Sequence, residues 1–449
     1  MCVLSDRHSF GGVTIAAALL TVPVGMAIWD MMDGARDDRA EHPAMGMSGA
    51  ALPGVKSGMS MPLCIDGRLL DANYTGVGHY AARLAQTLAR HGRPPLRLDA
   101  TLPAIGAHSR VGRLGRYVRA ALPGARPVVR LDASEEGFSG RLLGRDLFRE
   151  AYLHFKFRGR LLPVRCPGEP GVMHWTYPLP LYLEGWRNIY TVHDIIPLDR
   201  QDLSPVNGAR LERLLARIME RADRLVTVSE AVRQDVIDRW GCPADFVTAC
   251  HQAIDLDSVP GSVDPAMKEH FLYYGAIEPR KNLVRLARAY RASGSRRPLL
   301  IVGQDGWRAQ EMREAIGEGG NVHFRPLQTR ATLTMLIRTA RAVLFPSLAE
   351  GFGLPVAESM ALGTPVMASA IPALREVAGD GALFVNPLDE AEMSRAITAL
   401  DGDDGLCARL VTLGATQAVA YQSSAYYERL LGIYADVGGD AQRAGAGRE

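Results

Sequence analysis

The residues Glu350-Gly351-Phe352-Gly353-Leu354-Pro355, followed by Glu358, carry the most information in this chain. The two glycines allow the backbone to approach a ligand closely, and Pro355 suits the first turn of a helix. The N-terminus of such a helix offers free amides and a partial positive charge, so it can hold an anion. Two carboxylates beside an anion site suit a ligand that also carries hydroxyls. A sugar joined to a phosphate has both features.

Around this stretch, short apolar segments alternate with amphipathic ones. The predicted strands are residues 271–274, 299–302, 343–345, 366–368 and 383–385, and the predicted helices are residues 282–292, 308–316, 331–340, 355–361, 373–377 and 390–400. This alternation indicates a parallel sheet covered by helices, which binds ligands beyond the carboxyl ends of its strands. The Glu350 stretch and residues 275–281 each follow a strand, so we expect both at one rim of the sheet.

The N-terminal part predicts a second domain of the same kind. A short strand at 63–65 leads into Thr75-Gly76-Val77-Gly78 and then into a helix with one apolar face. A further strand at 188–192 ends in His193 and Asp194. Residues 100–170 are basic and rich in glycine and leucine, and their pattern gives no order of elements. The predicted fold class is α/β, with two doubly wound, Rossmann-like domains facing across a cleft.

The domain organisation follows from these patterns. Residues 1–60 are predicted to be a disordered extension or an over-long start, and residues 416–449 a C-terminal helix and tail. Between them lie an N-terminal Rossmann-like domain at 61–255 and a C-terminal one at 266–415. An uncharged, largely apolar run at 11–29 also resembles a membrane or signal segment. Because Pro23 and several glycines weaken it as a helix, the extension is the preferred interpretation.

The composition limits the classes of function. A chain of 449 residues exceeds one ordinary core, and 47% hydrophobic with 22% charged residues is typical of a soluble globular protein. The formal net charge of +2 gives no general attraction to nucleic acid. The six cysteines lie far apart without a CxxC pair, so we expect reduced thiols and no disulfide framework or zinc site.

Further motifs accompany the Glu350 stretch. In the C-terminal part they are Glu278-Pro279-Arg280-Lys281-Asn282-Leu283, Phe345-Pro346-Ser347, Glu358-Ser359-Met360-Ala361 and Glu376-Val377-Ala378-Gly379. In the N-terminal part they are Ile65-Asp66-Gly67-Arg68, Thr75-Gly76-Val77-Gly78, Thr191-Val192-His193-Asp194 and Val228-Ser229-Glu230. This series resembles glycosyltransferase family 4, whose members are retaining enzymes of the GT-B fold that transfer a sugar from a nucleotide diphosphate donor. The nearest subgroup resembles bacterial mannosyltransferases of O-antigen and exopolysaccharide assembly.

The resemblance implies a role for each matching position. Glu358 would hold the ribose hydroxyls of the donor, and Glu350 would hold hydroxyls of the transferred sugar. Lys281 and Arg280 would neutralise the diphosphate, while His193 would lie near the reacting sugar. The backbone expected at the donor is that of Gly351, Phe352, Gly353 and Leu354, with Gly76 and Gly78 approaching from the other domain.

The chain also departs from the family's pattern. Ala276 stands where many members carry an arginine, so Arg280 and Lys281 become the expected source of positive charge. Pro326 stands where a glycine is usual, which leaves the loop that contacts the base undefined. Because no DxD-like acidic cluster occurs in a motif context and a lysine–arginine clamp makes a metal unnecessary, we expect no metal and no cofactor besides the donor.

The predicted function is transfer of a hexose, namely mannose from GDP-mannose, to a glycan or a polyprenyl-diphosphate-linked saccharide in surface polysaccharide biosynthesis. A UDP-glucose-dependent glucosyltransferase and a protein that binds the donor without transfer remain alternatives. An epimerase or phosphorylase of the same fold would need acid/base or cofactor-binding residues that are not evident.

The acceptor side is less defined. The segment His174-Trp175-Thr176-Tyr177 lines the acceptor site or belongs to an aromatic core. The expected location is cytoplasmic, with peripheral attachment to the inner membrane through the arginine-rich residues 110–119 if the acceptor is lipid-linked. No nucleic-acid partner is expected.

Overall fold

The computed structural model describes residues 61–70, 75–101, 110–131, 135–254, 270–317 and 319–445. The predicted extension at 1–60, with its apolar run, lies outside these residues, as does the whole segment between the predicted domains, residues 256–265. We refer to residues 61–254 as the N-terminal half and to residues 270–445 as the C-terminal half. Each half contains its own sheet, mainly parallel in the N-terminal half and wholly parallel in the C-terminal half.

The N-terminal half is built on an eight-stranded sheet. Its strands are β1 (Leu63–Asp66), β2 (Leu96–Thr101), β4 (Val129–Leu131), β5 (Gly140–Arg145), β7 (Val172–Trp175), β9 (Arg187–Val192), β10 (Arg224–Thr227) and β11 (Val247–Ala249). The spatial order is β11-β10-β9-β7-β1-β2-β5-β4, and every pair is parallel except β4 with β5. Strands β3 (Arg126–Pro127), β6 (Leu162–Arg165) and β8 (Leu181–Leu183) form a separate small sheet.

Helices connect these strands and cover the sheet. They are α1 (Gly76–Arg90), α2 (Arg110–Ala121), α3 (Leu147–Arg158), the short α4 (Ile196–Asp199), α5 (Gly208–Met219) and α6 (Glu230–Trp240). Several begin at a side-chain cap. Thr75 accepts from the Gly78 N–H at the start of α1, and Ser229 accepts from the Val232 N–H at the start of α6.

The C-terminal half contains a six-stranded, wholly parallel sheet. Its strands are β12 (His270–Tyr274), β13 (Leu299–Val302), β14 (Val322–Arg325), β15 (Ala340–Phe345), β16 (Val366–Ser369) and β17 (Leu383–Val385), in the order β14-β13-β12-β15-β16-β17. Strands β12, β15 and β16 are buried along their whole length, which explains why they read as continuous apolar runs. The edge strand β14 was not predicted, because exposed His323 and Arg325 interrupt its apolar pattern.

The helices of this half are α7 (Leu283–Ser293), α8 (Ala309–Ile316), α9 (Arg330–Thr339), α10 (Leu354–Ala361), α11 (Pro372–Ala378), α12 (Glu390–Gly402), α13 (Asp404–Ala418) and α14 (Ser423–Gly445). Helix α13 was not predicted. None of the helices in the described part of the chain is both long and apolar enough to cross a bilayer.

Helix α14 returns to the N-terminal half and packs against α1. The hydroxyl of Tyr434 lies 2.8 Å from Nδ1 of His174, and Nε2 of His174 lies 2.8 Å from Oγ1 of Thr191. His174 and Trp175 are fully buried. For these two residues the structure favours the aromatic core over the acceptor site. One apolar cluster contains buried residues of both halves and of this returning helix, while the opposite side of the N-terminal sheet has a core of its own.

Candidate functional site

The centre of the site is a buried ion cluster between the two motif segments of the C-terminal sheet. Lys281 Nζ donates to Glu350 Oε1 at 2.5 Å, and Arg280 Nη1 donates to Glu350 Oε2 at 2.7 Å. The side chains of Lys281 and Glu350 are each only 9% exposed. The two cations follow β12 on a 3-10 turn, Pro279–Lys281, whereas Glu350 follows the neighbouring strand β15. The predicted common rim therefore exists.

Electrostatics fix the charge of this cluster. Burial disfavours the ionised form of Glu350, but the two neighbouring cations outweigh it and lower the pKa of Glu350 to about 2. Burial lowers the pKa of Lys281, with the charge of Arg280 acting in the same direction. Arg280 also donates to Glu278 at 2.8 Å and to the backbone carbonyl of Ala349 at 3.0 Å. These contacts hold the cations and the carboxylate together. The cations can pair with the anionic groups of a ligand, and the carboxylate can accept hydrogen bonds from its hydroxyls.

Two glycines are required where the Glu350 stretch turns. A Cβ on Gly351 would lie 1.9 Å from the backbone carbonyl oxygen of His193, so only glycine allows the halves to meet here. Gly353 has φ of +102°, in the left-handed region, and a Cβ there would lie 2.3 Å from Leu374. Phe352 is buried, and Leu354 opens α10 directly after Gly353. The stretch is thus held in one conformation.

Glu358 lies on α10 at a second polar cluster. Its Oε1 lies 2.8 Å from Arg330 Nη1, at the start of α9. The Tyr274 hydroxyl donates to the Pro355 carbonyl at 2.8 Å and lies 3.3 Å from Glu358 Oε2. Arg330 and Tyr274 therefore orient a carboxylate that the sequence assigned to the ribose.

His193 stands at the end of β9, opposite the Glu350 stretch. Its Nε2 lies 2.7 Å from the carbonyl oxygen of Thr176, which can only accept, so Nε2 carries the proton and Nδ1 is the basic nitrogen. Burial lowers the pKa of His193 to about 4, so the ring is neutral near pH 7. The adjacent Asp194 has a raised pKa because of burial, an effect that the charge of Arg280 opposes. The His–Asp pair thus faces the ion cluster of the C-terminal half.

The glycine loop before α1 is less open than its sequence suggests. The N–H of Gly78 is already bound to Thr75 Oγ1 at 3.0 Å, whereas Gly76 is exposed and has space around its Cα. The next residue, His79, faces the second cluster. Burial lowers its pKa, with Glu358 raising it and Arg330 lowering it further. Helix α1 therefore brings His79 within electrostatic range of the Glu358–Arg330 pair.

A third polar group joins the two halves. The carboxylate of Glu376, on α11, accepts from the backbone N–H groups of Glu230 and Ala231 at 2.6 and 2.8 Å, which are the first amides of α6. His251 Nε2 lies 2.5 Å from Glu376 Oε1. Beside it, Ser229 Oγ donates to the carbonyl of Gly351 at 2.6 Å. A carboxylate of one half thus caps a helix of the other, next to the Glu350 stretch.

The sequence and the structure agree on part of this arrangement. Glu350, Arg280 and Lys281 are brought together, His193 faces Gly351, and Glu358 lies on the adjoining helix. The roles assigned to these residues, and those of Gly76 and Gly78, stay predictions. Sequence reasoning gave no role to His79, Arg330 or Glu376. The motif that contains Glu376 was recognised, and so was the one that contains its backbone partner Glu230, but nothing in their spacing paired the two.

Comparison with known families gives one match for each half of the chain. The model described as Glycosyltransferase Family 4 matches residues 74–258, and the model described as Glycosyl transferases group 1 matches residues 260–415. Each model covers one half of the site, so the ion cluster and the His–Asp pair fall in different matches.

Curated relatives include two enzymes of O-antigen assembly. O-antigen chain mannosyltransferase B of Escherichia coli is 31% identical over 244 residues, which cover 50% of this chain and 64% of the relative. O-antigen chain mannosyltransferase RfbU of Salmonella typhimurium is 29% identical over 215 residues, covering 47% of this chain and 60% of the relative. The chain therefore spans less than two thirds of the length of these relatives.

Solved structures share the fold. Sucrose-phosphate synthase from Thermosynechococcus elongatus has a TM-score of 0.62 at 19% identity, covering 85% of this chain and all of that one. Anabaena HepE, in complex with UDP and glucose, has a TM-score of 0.58 at 13% identity, covering 84% of this chain and all of that one. Identities this low show the fold alone. The fold is GT-B, as predicted from the sequence. The chain belongs to glycosyltransferase family 4.

Proposed function

We propose that this protein is a retaining glycosyltransferase that moves mannose from GDP-mannose to a glycan or polyprenyl-diphosphate-linked saccharide in surface polysaccharide biosynthesis. The observation that carries the proposal is the buried Glu350–Lys281–Arg280 cluster opposite His193. A carboxylate and two cations held this closely suit a ligand in which sugar hydroxyls adjoin a diphosphate.

The bond changes assign a task to each group. The bond from the anomeric carbon to the β-phosphate oxygen breaks as the acceptor oxygen forms a bond on the same face. The acceptor proton passes to the leaving diphosphate, so no separate base is needed. Negative charge grows on the diphosphate, and Arg280 and Lys281 stabilise it in a site with little water. One lost donor of this kind typically lowers the rate by a hundredfold or more, on the order of magnitude seen for oxyanion sites.

The carboxylates have distinct tasks in this proposal. Glu350, ionised because of its two cations, accepts hydrogen bonds from hydroxyls of the transferred sugar. Glu358, oriented by Arg330 and Tyr274, accepts hydrogen bonds from the ribose. His193 has its basic Nδ1 available beside the reacting sugar. Because the clamp supplies the positive charge, the proposed reaction uses no metal.

The donor sugar is assigned from the relatives. Both O-antigen relatives are named as mannosyltransferases, and their names supply the choice of mannose. The donor and a lipid-linked acceptor would meet at the cytoplasmic face of the inner membrane, and we propose a peripheral association there.

A donor screen tests the proposal. Purified full-length protein is incubated with GDP-mannose or UDP-glucose, with and without polyprenyl-diphosphate-linked N-acetylglucosamine, and release of nucleotide diphosphate is measured. GDP release that depends on the acceptor is the expected result. UDP release in its place would reassign the donor, whereas binding of donors without turnover would overturn the transferase assignment. Lys281→Met, which keeps a long apolar side chain, is the inactive control.

A further inference from the structure

Helix α2 and the end of α3 present an unusual outward surface. Leu114, Tyr117, Val118 and Leu122 are 64%, 46%, 54% and 53% exposed, and Phe157 is 47% exposed. The rings of Tyr117 and Phe157 are in edge contact, with centroids 5.9 Å apart. Single exposed apolar residues are common, but a contiguous group marks an interaction site. We call these five residues the apolar face.

The polar side of α2 explains why the apolar side points outward. Arg116 pairs with Asp146 at 2.5 Å, and Arg119 pairs with Glu150, a buried residue of α3. Arg126 binds the same carboxylate at 2.6 Å. The helix thus docks on its neighbour through charges, the reverse of the ordinary surface helix. Two arginines of the segment 110–119 therefore face inward, and they are not the charges that a membrane would meet.

Basic residues lie beside the apolar face. Lys156, Arg158 and Arg160, at the end of α3, are exposed, and Arg158 Nη1 donates to the carbonyl of Ala121 at 3.2 Å. A cavity of about 490 Å³ opens next to them. Its lining includes His154, the arginines Arg158, Arg160, Arg217 and Arg221, and one carboxylate, that of Glu220. Such a lining fits the phosphate of a ligand.

We propose that the apolar face and this arginine cavity dock the N-terminal half onto an anionic lipid surface. The five apolar side chains enter at the level of the headgroups, and the cavity and its basic neighbours bind lipid phosphates. Charge complementarity selects this occupant. Arg217 pairs with Glu220 inside the cavity, and a purely apolar partner would leave the net positive charge of Arg158, Arg160 and Arg221 without a compensating anion. The inference rests on the proposed function in one respect, namely that a lipid-linked acceptor explains why the protein docks on a membrane.

Vesicle flotation of the full-length protein, without donor or acceptor, tests the inference. Vesicles of phosphatidylcholine alone are compared with vesicles that also contain phosphatidylglycerol. We expect binding to the mixed vesicles, much weaker binding to the neutral ones, and a decrease as salt screens the charges. Failure to bind mixed vesicles at low salt overturns the inference.

Matched variants separate the two contributions. Tyr117→Ser and Val118→Ser should each lower the partition coefficient about tenfold on both vesicle types. Arg158→Gln and Arg160→Gln should each lower it about fivefold on the anionic vesicles only. The controls are exposed residues of the C-terminal half, Leu388→Ser, Val419→Ser, Arg395→Gln and Arg409→Gln, which should change nothing. Equal losses in the controls would contradict the assigned surface.

Other occupants give distinct results. A dimer that Tyr117→Ser dissociates, together with absence of vesicle binding, would assign the face to a second copy and overturn the inference. Tight binding of inorganic phosphate that Arg160→Gln abolishes, again without vesicle binding, would assign the cavity to a free phosphate and also overturn it. GDP release with a water-soluble saccharide acceptor should persist in Tyr117→Ser, so failure of docking is distinguishable from failure of the transferase assignment.

Discussion

Lys281 Nζ and Glu350 Oε1 lie 2.5 Å apart in a site that is closed to most solvent, although 69 positions separate the residues in sequence. Parallel strands β12 and β15 are neighbours in the sheet, and both residues follow the carboxyl ends of those strands. The sheet thus places a permanent negative charge between two cations. The chemistry of the site and its dependence on pH both follow from this pair.

Glu350→Gln should change stability in a pH-dependent way. The pKa of Glu350 in the folded protein is about 2, below its ordinary value of 4.5, so the carboxylate stabilises the fold above about pH 4.5 and loses this effect as pH falls toward 2. The shift corresponds to on the order of 3 kcal/mol. Urea unfolding of the variant and the wild type should therefore differ by that much at pH 7 and by far less near pH 2.5. A difference that is the same at both pH values would contradict the ionised cluster; Glu314→Gln, on an exposed helix surface, is the control.

Glu358→Ala should weaken binding of GDP, whereas Glu350→Ala should mainly lower turnover. Loss of a charged hydrogen-bond acceptor to a hydroxyl typically costs about 2 kcal/mol, or roughly thirtyfold in Kd. Isothermal titration with GDP measures the first effect. With 2′,3′-dideoxy-GDP the wild type and Glu358→Ala should bind alike, because the ribose hydroxyls are gone. An equal loss with both nucleotides would count against the ribose assignment.

Glu376→Ala should loosen the contact between the two halves. The Ser229 cap of α6 remains in the variant, but the amides of Glu230 and Ala231 lose the carboxylate that accepts from them, at a cost of about 1 to 2 kcal/mol. Because Gly351 of the proposed donor site lies beside this contact, KM for the donor should rise. Because the halves separate more easily, the radius of gyration in small-angle scattering should also increase. The control is Glu390→Ala, which breaks an exposed ion pair with Arg288. Unchanged scattering and unchanged KM would show that the contact does not position the halves.

Asp66→Asn should stabilise the fold at neutral pH. Asp66 is fully buried at the end of β1, and its Oδ2 accepts from the Thr176 N–H at 2.6 Å. Burial raises its pKa from 3.8 to about 6, so the folded state carries a growing cost as pH rises from 3.8 to 6. The free energy of unfolding of the variant, relative to the wild type, should increase by on the order of 3 kcal/mol between pH 3.5 and pH 7.5. A flat difference would indicate that Asp66 ionises normally; Asp436→Asn, at an exposed position, is the control.

The sequence predicted the C-terminal sheet well because its central strands are buried on both faces and therefore continuously apolar. It predicted no order for residues 100–170, for reasons that the structure supplies. Strand β4 is exposed along its length and α2 turns its apolar side outward, so neither carries the usual burial pattern. Strand β5 alternates in burial, but Gly140 and Gly144 occupy two of its three buried positions and leave no apolar alternation to read. Local periodicity is informative only where each element faces the core in the ordinary way.

The candidate site also contains contacts that the sequence predicts and contacts that it does not. The Glu350 cluster was predictable because the rule for parallel sheets places all loops that follow strands at one rim. The pairing of Glu376 with α6, of Arg330 with Glu358, and of His79 with both depends on how distant segments meet. Such contacts join positions that lie up to about 280 residues apart, and neither spacing nor composition encodes them.

The most direct test of the central claim is the anomeric configuration of the product formed from GDP-mannose. The donor carries α-mannose, and one-bond carbon–proton coupling in the NMR spectrum of the purified product reports the new linkage. The proposed same-face attack beside Glu350, Lys281 and Arg280 predicts an α-mannoside, with product formation abolished in Lys281→Met. A β-mannoside, or product formed equally well by Lys281→Met, would contradict it.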